Sequence, residues 1–100
     1  MQFATAGEAL GLLSDPTRLR VAWLLAMTSA DEDTLDTACG APVTRHLAKP
    51  RLAGLIEGRR EGPPVVCALR DGHLRRLVIE ALNHADHLLS GMPHHRWFTR

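Results

Sequence analysis

Four side chains that can bind metal ions follow one another at a fixed spacing near the end of the chain: Asp71, His73, His84 and His87. Apolar residues recur at helical spacing between residues 72 and 90, which predicts one helix with Asp71 at its N-cap. His73 and His84 would share a face of that helix but lie roughly 16 Å apart along it. Because a first-row metal holds its ligands at about 2.0–2.2 Å, one copy of the helix cannot close a site around both histidines.

Two copies of the helix solve this problem. If they pack antiparallel about a two-fold axis, Asp71 and His73 of one copy meet His84 and His87 of the other, which gives two equivalent sites between subunits. A broad apolar stripe beside the histidines would form the seam. Its members are Leu74, Leu77, Val78, Ala81, Leu82, Ala85, Leu88 and Leu89. The competing interpretation of a helical histidine pair is a solvated face.

The length and charge of the chain set further bounds. One hundred residues make one small domain with a modest core, which we place at residues 1–90 with a flexible tail at 91–100. The net charge is only +1, but residues 1–42 carry a net −4 and residues 43–60 a net +4. A basic centre behind an acidic start favours a surface that faces a polyanion.

The compartment is expected to be the cytoplasm. No charged segment with a long apolar run opens the chain, and the longest apolar stretch, residues 21–27, is too short to span a membrane. Cys39 and Cys67 are the two cysteines, too few for a disulfide framework, and we interpret both as small packed side chains.

The order of predicted elements is mainly helical with one small hairpin. A first helix covers residues 4–13, and a second, with Asp15 at its N-cap and Pro16 at its first position, ends near Met27. Residues 28–33 are expected to form a loop. A third helix is expected to be capped by Asp33 or Thr34 and to end at Gly40, and a fourth to run from Ala41-Pro42 through Ala48. Two strands, at 55–60 and 65–69, are predicted to form a hairpin with its turn at 61–64, and the last helix follows.

The third and fourth helices have the form of a helix-turn-helix with a basic second helix. We expect the DNA-facing side chains to be Thr44, Arg45, His46 and Lys49 on that helix, and Arg59 and Arg60 at the tip of the hairpin. Arg45 and His46 would face a groove, where an arginine can pair with a guanine edge. Phosphate contact or plain solvation is the alternative for them, and phosphates or the minor groove are the expected targets of the hairpin arginines.

On these residues the chain resembles the ArsR/SmtB family of metal-sensing bacterial transcriptional repressors, over about residues 6–90. One match is the segment 9–20, which contains Asp15-Pro16-Thr17-Arg18. The second is the segment 43–55, and the third is the Asp-x-His and His-x-x-His pattern of the last helix, which matches the zinc- and nickel/cobalt-sensing members. The resemblance implies a winged helix-turn-helix homodimer, joined through its terminal helices, that binds double-stranded operator DNA.

Nickel is the metal that we expect first, with zinc and cobalt as alternatives. His94 and His95 in the tail would raise the coordination number from four to five or six, which favours nickel or cobalt over zinc. The other interpretation of this histidine pair is a polar chain end.

Two departures from the family pattern motivate a second hypothesis. Only Ala41 and Pro42 separate Gly40 from Val43, and Pro50 stands where a core leucine is usual. Proline inside a helix removes a backbone hydrogen bond, so the recognition helix should be short or kinked. The alternative function is a metal-binding interaction protein that needs a second regulatory protein to reach DNA, or that binds no DNA.

An enzyme is not expected. The chain has no Ser/His/Asp set, no glycine-rich phosphate loop and no glutamate-bearing zinc motif.

Overall fold

The computed structural model describes residues 1–52, 54–59 and 65–90, and the side chains of 1–48, 54–58 and 65–90. These segments hold helices that pack against a small antiparallel sheet. The elements in chain order are α1 (Gln2–Leu13), α2 (Pro16–Met27), β1 (Ala30–Asp31), α3 (Glu32–Cys39), α4 (Thr44–Leu52), β2 (Ile56–Arg59), β3 (Val66–Leu69) and α5 (Gly72–Ser90).

Helix α2 begins and ends where the sequence predicts. The Asp15 side chain accepts a hydrogen bond from the backbone N–H of Arg18 at 2.9 Å, and Pro16 occupies the first turn, where its missing N–H costs nothing. The side chain of Arg18 reaches back to the carbonyl of Leu12 at 2.6 Å. This cap and this bond hold the end of α1 against the start of α2.

The predicted loop at residues 28–33 is wrong. Ala30 and Asp31 form β1, which pairs antiparallel with β3 and places Ala30 opposite Cys67. The predicted cap of α3 is also wrong, because Asp31 rather than Asp33 or Thr34 accepts the backbone N–H of Thr34, at 2.8 Å. Any of these neighbouring polar residues can cap a helix, and the strand pairing selects the first of them.

Gly40 ends α3 as predicted, with a positive φ of 71° that suits glycine. The start of α4 differs from the prediction, because the helix begins at Thr44 and not at Ala41-Pro42. Val43 sits between the two helices, where its N–H donates to Asp36 Oδ1 at 2.8 Å and its side chain is buried. The end of α4 also differs from the prediction, because the helix does not stop at Ala48 but continues through Pro50 to Leu52, over nine residues.

The sheet has the strand order β1-β3-β2, and β2 and β3 form the predicted hairpin with shorter strands. Ile56 pairs with Leu69 and Arg59 with Val66. The predicted turn at residues 61–64 and Arg60 lie outside the described residues.

The core lies where α2, α3, α4, the sheet and one side of α5 meet. Its most completely buried side chains are Leu35, Leu47, Val21, Val43, Val78 and Cys67. Burial is confirmed for Cys67, whereas Cys39 is only half-buried. None of the helices in the described segments is both long and apolar enough to cross a membrane.

Candidate metal centre and nucleic-acid interface

Asp71 starts α5 and still has a carboxylate oxygen to offer. Its Oδ1 accepts the backbone N–H of Leu74 at 2.9 Å, which confirms the predicted N-cap. A carboxylate has two oxygens, and a metal ion can take one of them while the other keeps the cap. The side chain is exposed. The first turn of α5 therefore offers a carboxylate oxygen at the surface that a metal ion could bind, while the other oxygen keeps the N-cap hydrogen bond.

The three histidines follow on the same uninterrupted helix, which runs for 19 residues. His73 and His84 are exposed and His87 is half-buried. Since the helix has no break between them, the spacing of about 1.5 Å per residue holds, and His73 stays roughly 16 Å from His84. In the described part of the chain no three metal-capable side chains come together. A single copy thus carries two candidate half-sites, one at each end of α5, and no complete site within the described residues.

The first half-site borders a groove between α1 and α5. A cavity of about 350 Å³ lies there, and Asp71 and His73 are among its lining residues. The rest of the lining is apolar and comes from Ala6, Ala9, Leu10, Leu74 and Leu77. An ion bound by Asp71 and His73 would sit beside an apolar surface that a second chain can cover.

The apolar stripe of α5 is mostly uncovered. Val78 is the only member that the described part of the chain buries, at 1% exposure, whereas Leu88 and Leu89 are 65% and 88% exposed. Leu77 and Leu82 are also exposed, and α1 adds an exposed Phe3. Exposed apolar side chains that recur along one helix in this way are typical of an interaction site.

His73 has a contact that the sequence reasoning missed. A guanidinium nitrogen of Arg76, Nη2, lies 2.7 Å from His73 Nδ1. The i, i+3 spacing of the two residues on a helix was the available signal, because such residues are neighbours on the helix surface. Arg76 thus belongs to the surroundings of the candidate site.

The start of α4 carries the candidate DNA-facing residues, and two of them already have partners. Thr44 Oγ1 donates to Glu32 Oε1 at 2.8 Å. His46 Nδ1 lies 3.5 Å from Asp15 Oδ2, so the cap of α2 also touches α4. Arg45 is exposed. Of these three, Arg45 is the side chain best placed to reach a ligand beyond the protein.

The carboxylate of Asp15 is electrostatically favoured in its charged form. The backbone N–H of Arg18 lowers the pKa of Asp15 below its ordinary value of 3.8. Burial is the next largest effect and opposes this shift, and the positive charges of Arg18 and His46 lower the pKa further. One carboxylate therefore stabilises both the start of α2 and the position of His46.

A second, larger cavity of about 600 Å³ lies between the starts of α2 and α4. Arg20 and Arg45 bring positive charge to its lining, and Cys39 also borders it. Arg20 was not among the predicted site residues, and its guanidinium donates to the carbonyl of Ala38 at 3.3 Å. The cavity makes this end of the molecule a concave basic surface of the kind that phosphates favour.

Several predicted residues lie outside what the structure describes. The side chains of Lys49, Arg59 and Arg60 and the whole of His94 and His95 are among them. Their assignment to DNA or to metal stays a prediction.

The chain is similar to known bacterial regulators over most of its length. The HTH-type transcriptional regulator KmtR of Mycobacterium tuberculosis is 40% identical over 93 residues, which span 89% of this chain and 72% of KmtR. No protein-family model matches the chain.

Two solved structures share the fold. The homodimeric winged helix-turn-helix DNA-binding domain of Mb0332 from Mycobacterium bovis, named as a possible ArsR-family transcriptional regulator, has a TM-score of 0.81 at 26% identity, covering 94% of this chain and 90% of that one. The cadmium metal-sensor CmtR from Mycobacterium tuberculosis has a TM-score of 0.65 at 32% identity, covering 74% and 80% of the two chains. None of these three proteins is named as an enzyme.

Proposed function

We propose that this chain, which belongs to the ArsR/SmtB family of winged-helix transcriptional regulators, is a homodimer whose binding to DNA responds to a metal ion. One observation carries the proposal. Asp71 and His73 lie at one end of an unbroken helix and His84 and His87 at the other, beside an apolar stripe that is mostly exposed in the described part of the chain. Two half-sites and an uncovered seam on one helix are what a symmetric dimer requires.

The ion would bind between the two copies of α5. Asp71 and His73 of one subunit supply an oxygen and a nitrogen, and His84 and His87 of the partner subunit supply two nitrogens. Imidazole and carboxylate ligands suit nickel, cobalt and zinc, while thiolates are the softer ligands that cadmium and copper(I) prefer. Both cysteines lie elsewhere, with Cys67 buried in the sheet and Cys39 beside α4. We propose nickel first, with His94 and His95 completing the shell, and zinc or cobalt otherwise.

The apolar faces of α1 and α5 would form the dimer interface. Exposed side chains on both helices, among them Phe3, Leu77 and Leu88, support this assignment. A stable interface of this kind buries about 1,200–2,000 Å² in total, and the two terminal helices are the surface from which that area would come.

The DNA-binding surface would be the start of α4 together with the hairpin. Arg45 is exposed at the mouth of the basic cavity, and Thr44, His46 and Lys49 lie on the same helix. The side chains of Arg59 and Arg60 would reach phosphates or the minor groove. In a two-fold dimer the two α4 helices must match half-sites about one helical turn apart, so the angle between the α5 helices sets the fit to DNA. An ion that fixes this angle couples metal to DNA binding, typically by about 1–3 kcal/mol.

Titration of the purified dimer with nickel and with zinc tests the metal site. We expect two ions per dimer for at least one of these metals, and loss of both in the variant His84→Ala with His87→Ala. The matched control is His46→Ala, which removes a histidine of α4 outside the proposed site and should keep the stoichiometry. Full stoichiometry in the α5 double variant would rule out the proposed site.

A gel shift with the protein alone on a pool of DNA duplexes at low salt tests the second half of the proposal. We expect retardation that changes when nickel or zinc is added, and weaker binding by Arg45→Ala. The alternative, a metal-binding protein that reaches DNA only with a second regulatory protein, predicts no retardation with or without metal.

A further inference from the structure

The contact between Arg76 and His73 bears on how the metal site is filled. Arg76 Nη2 lies 2.7 Å from His73 Nδ1. A guanidinium carries only donors, so the imidazole nitrogen must be the acceptor. The bond therefore uses the lone pair on Nδ1 of a proposed ligand.

The other ring nitrogen of His73 is also unavailable while this bond exists. A neutral imidazole has one N–H and one lone pair, and an accepting Nδ1 leaves the proton on Nε2. A metal ion needs a nitrogen with a lone pair. Neither nitrogen can therefore coordinate an ion until Arg76 has moved away.

The position of Arg76 allows its guanidinium to leave His73 when a metal ion binds. Both side chains are exposed, and they lie one turn apart on the same face of α5. The guanidinium also lies over Gly72, where its Nη1 is 3.6 Å from the place of a glycine Cβ. Arg76 thus folds back over the Asp71-Gly72-His73 segment, and its positive charge stands where a divalent ion would arrive.

We propose that Arg76 is an internal competitor for the metal, whose guanidinium occupies His73 in the metal-free protein and must be displaced for the ion to bind. The inference rests on the proposed metal site. Arg76 then sets the metal concentration at which the protein responds, without being a ligand itself. Removing its side chain should raise the affinity for the ion, because binding no longer breaks a hydrogen bond and no longer brings two positive charges together.

The contact itself is tested without metal, by nitrogen-15 NMR of the histidine side chains at pH 8. We expect His73 in the wild-type protein to be the tautomer with the proton on Nε2, and Arg76→Ala to lower the population of that tautomer. Arg76→Lys, which keeps a donor and the charge, should restore part of it. Arg75→Ala is the matched control, since it removes the same side chain one position away and should leave His73 unchanged. A His73 tautomer that is the same in all four proteins overturns the inference.

The consequence is tested by competition of the dimer with a chromogenic chelator for nickel and for zinc. We expect Arg76→Ala to bind about three- to tenfold more tightly than Arg75→Ala. The difference should persist at 0.5 M salt, where the simple repulsion between exposed charges is screened. Equal affinities of the two alanine variants overturn the inference alone. A wild-type dimer that binds neither metal overturns the proposed function, and the inference with it.

Discussion

At the scale of single residues, Asp15 links the stability of the chain to its candidate DNA-facing surface. Its carboxylate caps α2 through the N–H of Arg18 and lies 3.5 Å from His46 on α4. Asp15→Ala removes both contacts, and we expect the melting temperature at pH 7 to fall by about 4–8 °C at fixed protein concentration. Asp15→Asn keeps an oxygen for the cap and should lower the melting temperature by less. Equal melting temperatures for wild type and Asp15→Ala would show that the cap does not stabilise the fold.

The pH dependence follows from the lowered pKa of Asp15. The folded state holds this pKa below the ordinary value of 3.8, chiefly through the N–H of Arg18. The ionised carboxylate therefore stabilises the fold above pH 4, and this contribution is lost as the pH falls through the folded pKa. We expect the difference in unfolding free energy between wild type and Asp15→Asn to shrink between pH 5 and pH 2.5. A difference that stays constant over this range would contradict the assignment.

At the scale of elements, Val78 is the attachment of α5 to the core. It is the one stripe residue that the described chain buries, whereas Leu89 on the same helix is 88% exposed. We expect Val78→Ala to lower the free energy of unfolding by about 2 kcal/mol, from lost apolar burial and the cavity left behind. Arg75→Ala, at an exposed position of α5 outside the stripe, is the control and should change it by less than about 0.5 kcal/mol. Urea denaturation of both variants measures the change in the free energy of unfolding. Equal losses would show that Val78 does not attach α5 to the core.

Pro50 gives a second prediction at this scale. It lies inside α4, and its missing N–H deletes the helical bond to the carbonyl of His46. Pro50→Ala restores an N–H at this position, so we expect an increase in stability of about 1–3 kcal/mol and slower amide exchange in residues 44–52. Thr37→Ala on α3 is a control that leaves α4 alone. Faster exchange in α4 would contradict the description of this helix.

The elements also show what the sequence can and cannot predict. Helices α2 and α5 begin where predicted, because Asp15-Pro16 and Asp71 are strong local start signals. Strand β1 was missed, since two residues have no pattern of their own and become a strand only by pairing with β3. The spacing of the proposed ligands along α5 follows from helix geometry alone. The contact of Arg76 with His73 depends on a side-chain conformation, which spacing permits but does not specify.

At the scale of the whole molecule, the proposed dimer predicts that its seam can be opened without unfolding the chain. Leu88 is 65% exposed in one copy, so a charge there costs the single chain little. We expect Leu88→Glu to shift the protein from dimer to monomer in sedimentation, because a carboxylate would be buried without a partner at the seam. Ala38→Glu, at an exposed position on α3, is the matched control and should stay dimeric. A dimer that tolerates Leu88→Glu would place the seam elsewhere.

The central claim is that each metal site is shared between two chains, and mixed dimers test it most directly. One chain carries Asp71→Asn with His73→Ala, where asparagine keeps the helix cap, and the other carries His84→Ala with His87→Ala. Neither variant can form a complete site as a homodimer, but the mixed dimer joins the intact half of each chain into one site. We therefore expect one tightly bound nickel or zinc ion per mixed dimer and none in either homodimer. A mixed dimer that binds no more tightly than the homodimers, or a homodimer that still binds two ions, would contradict the account.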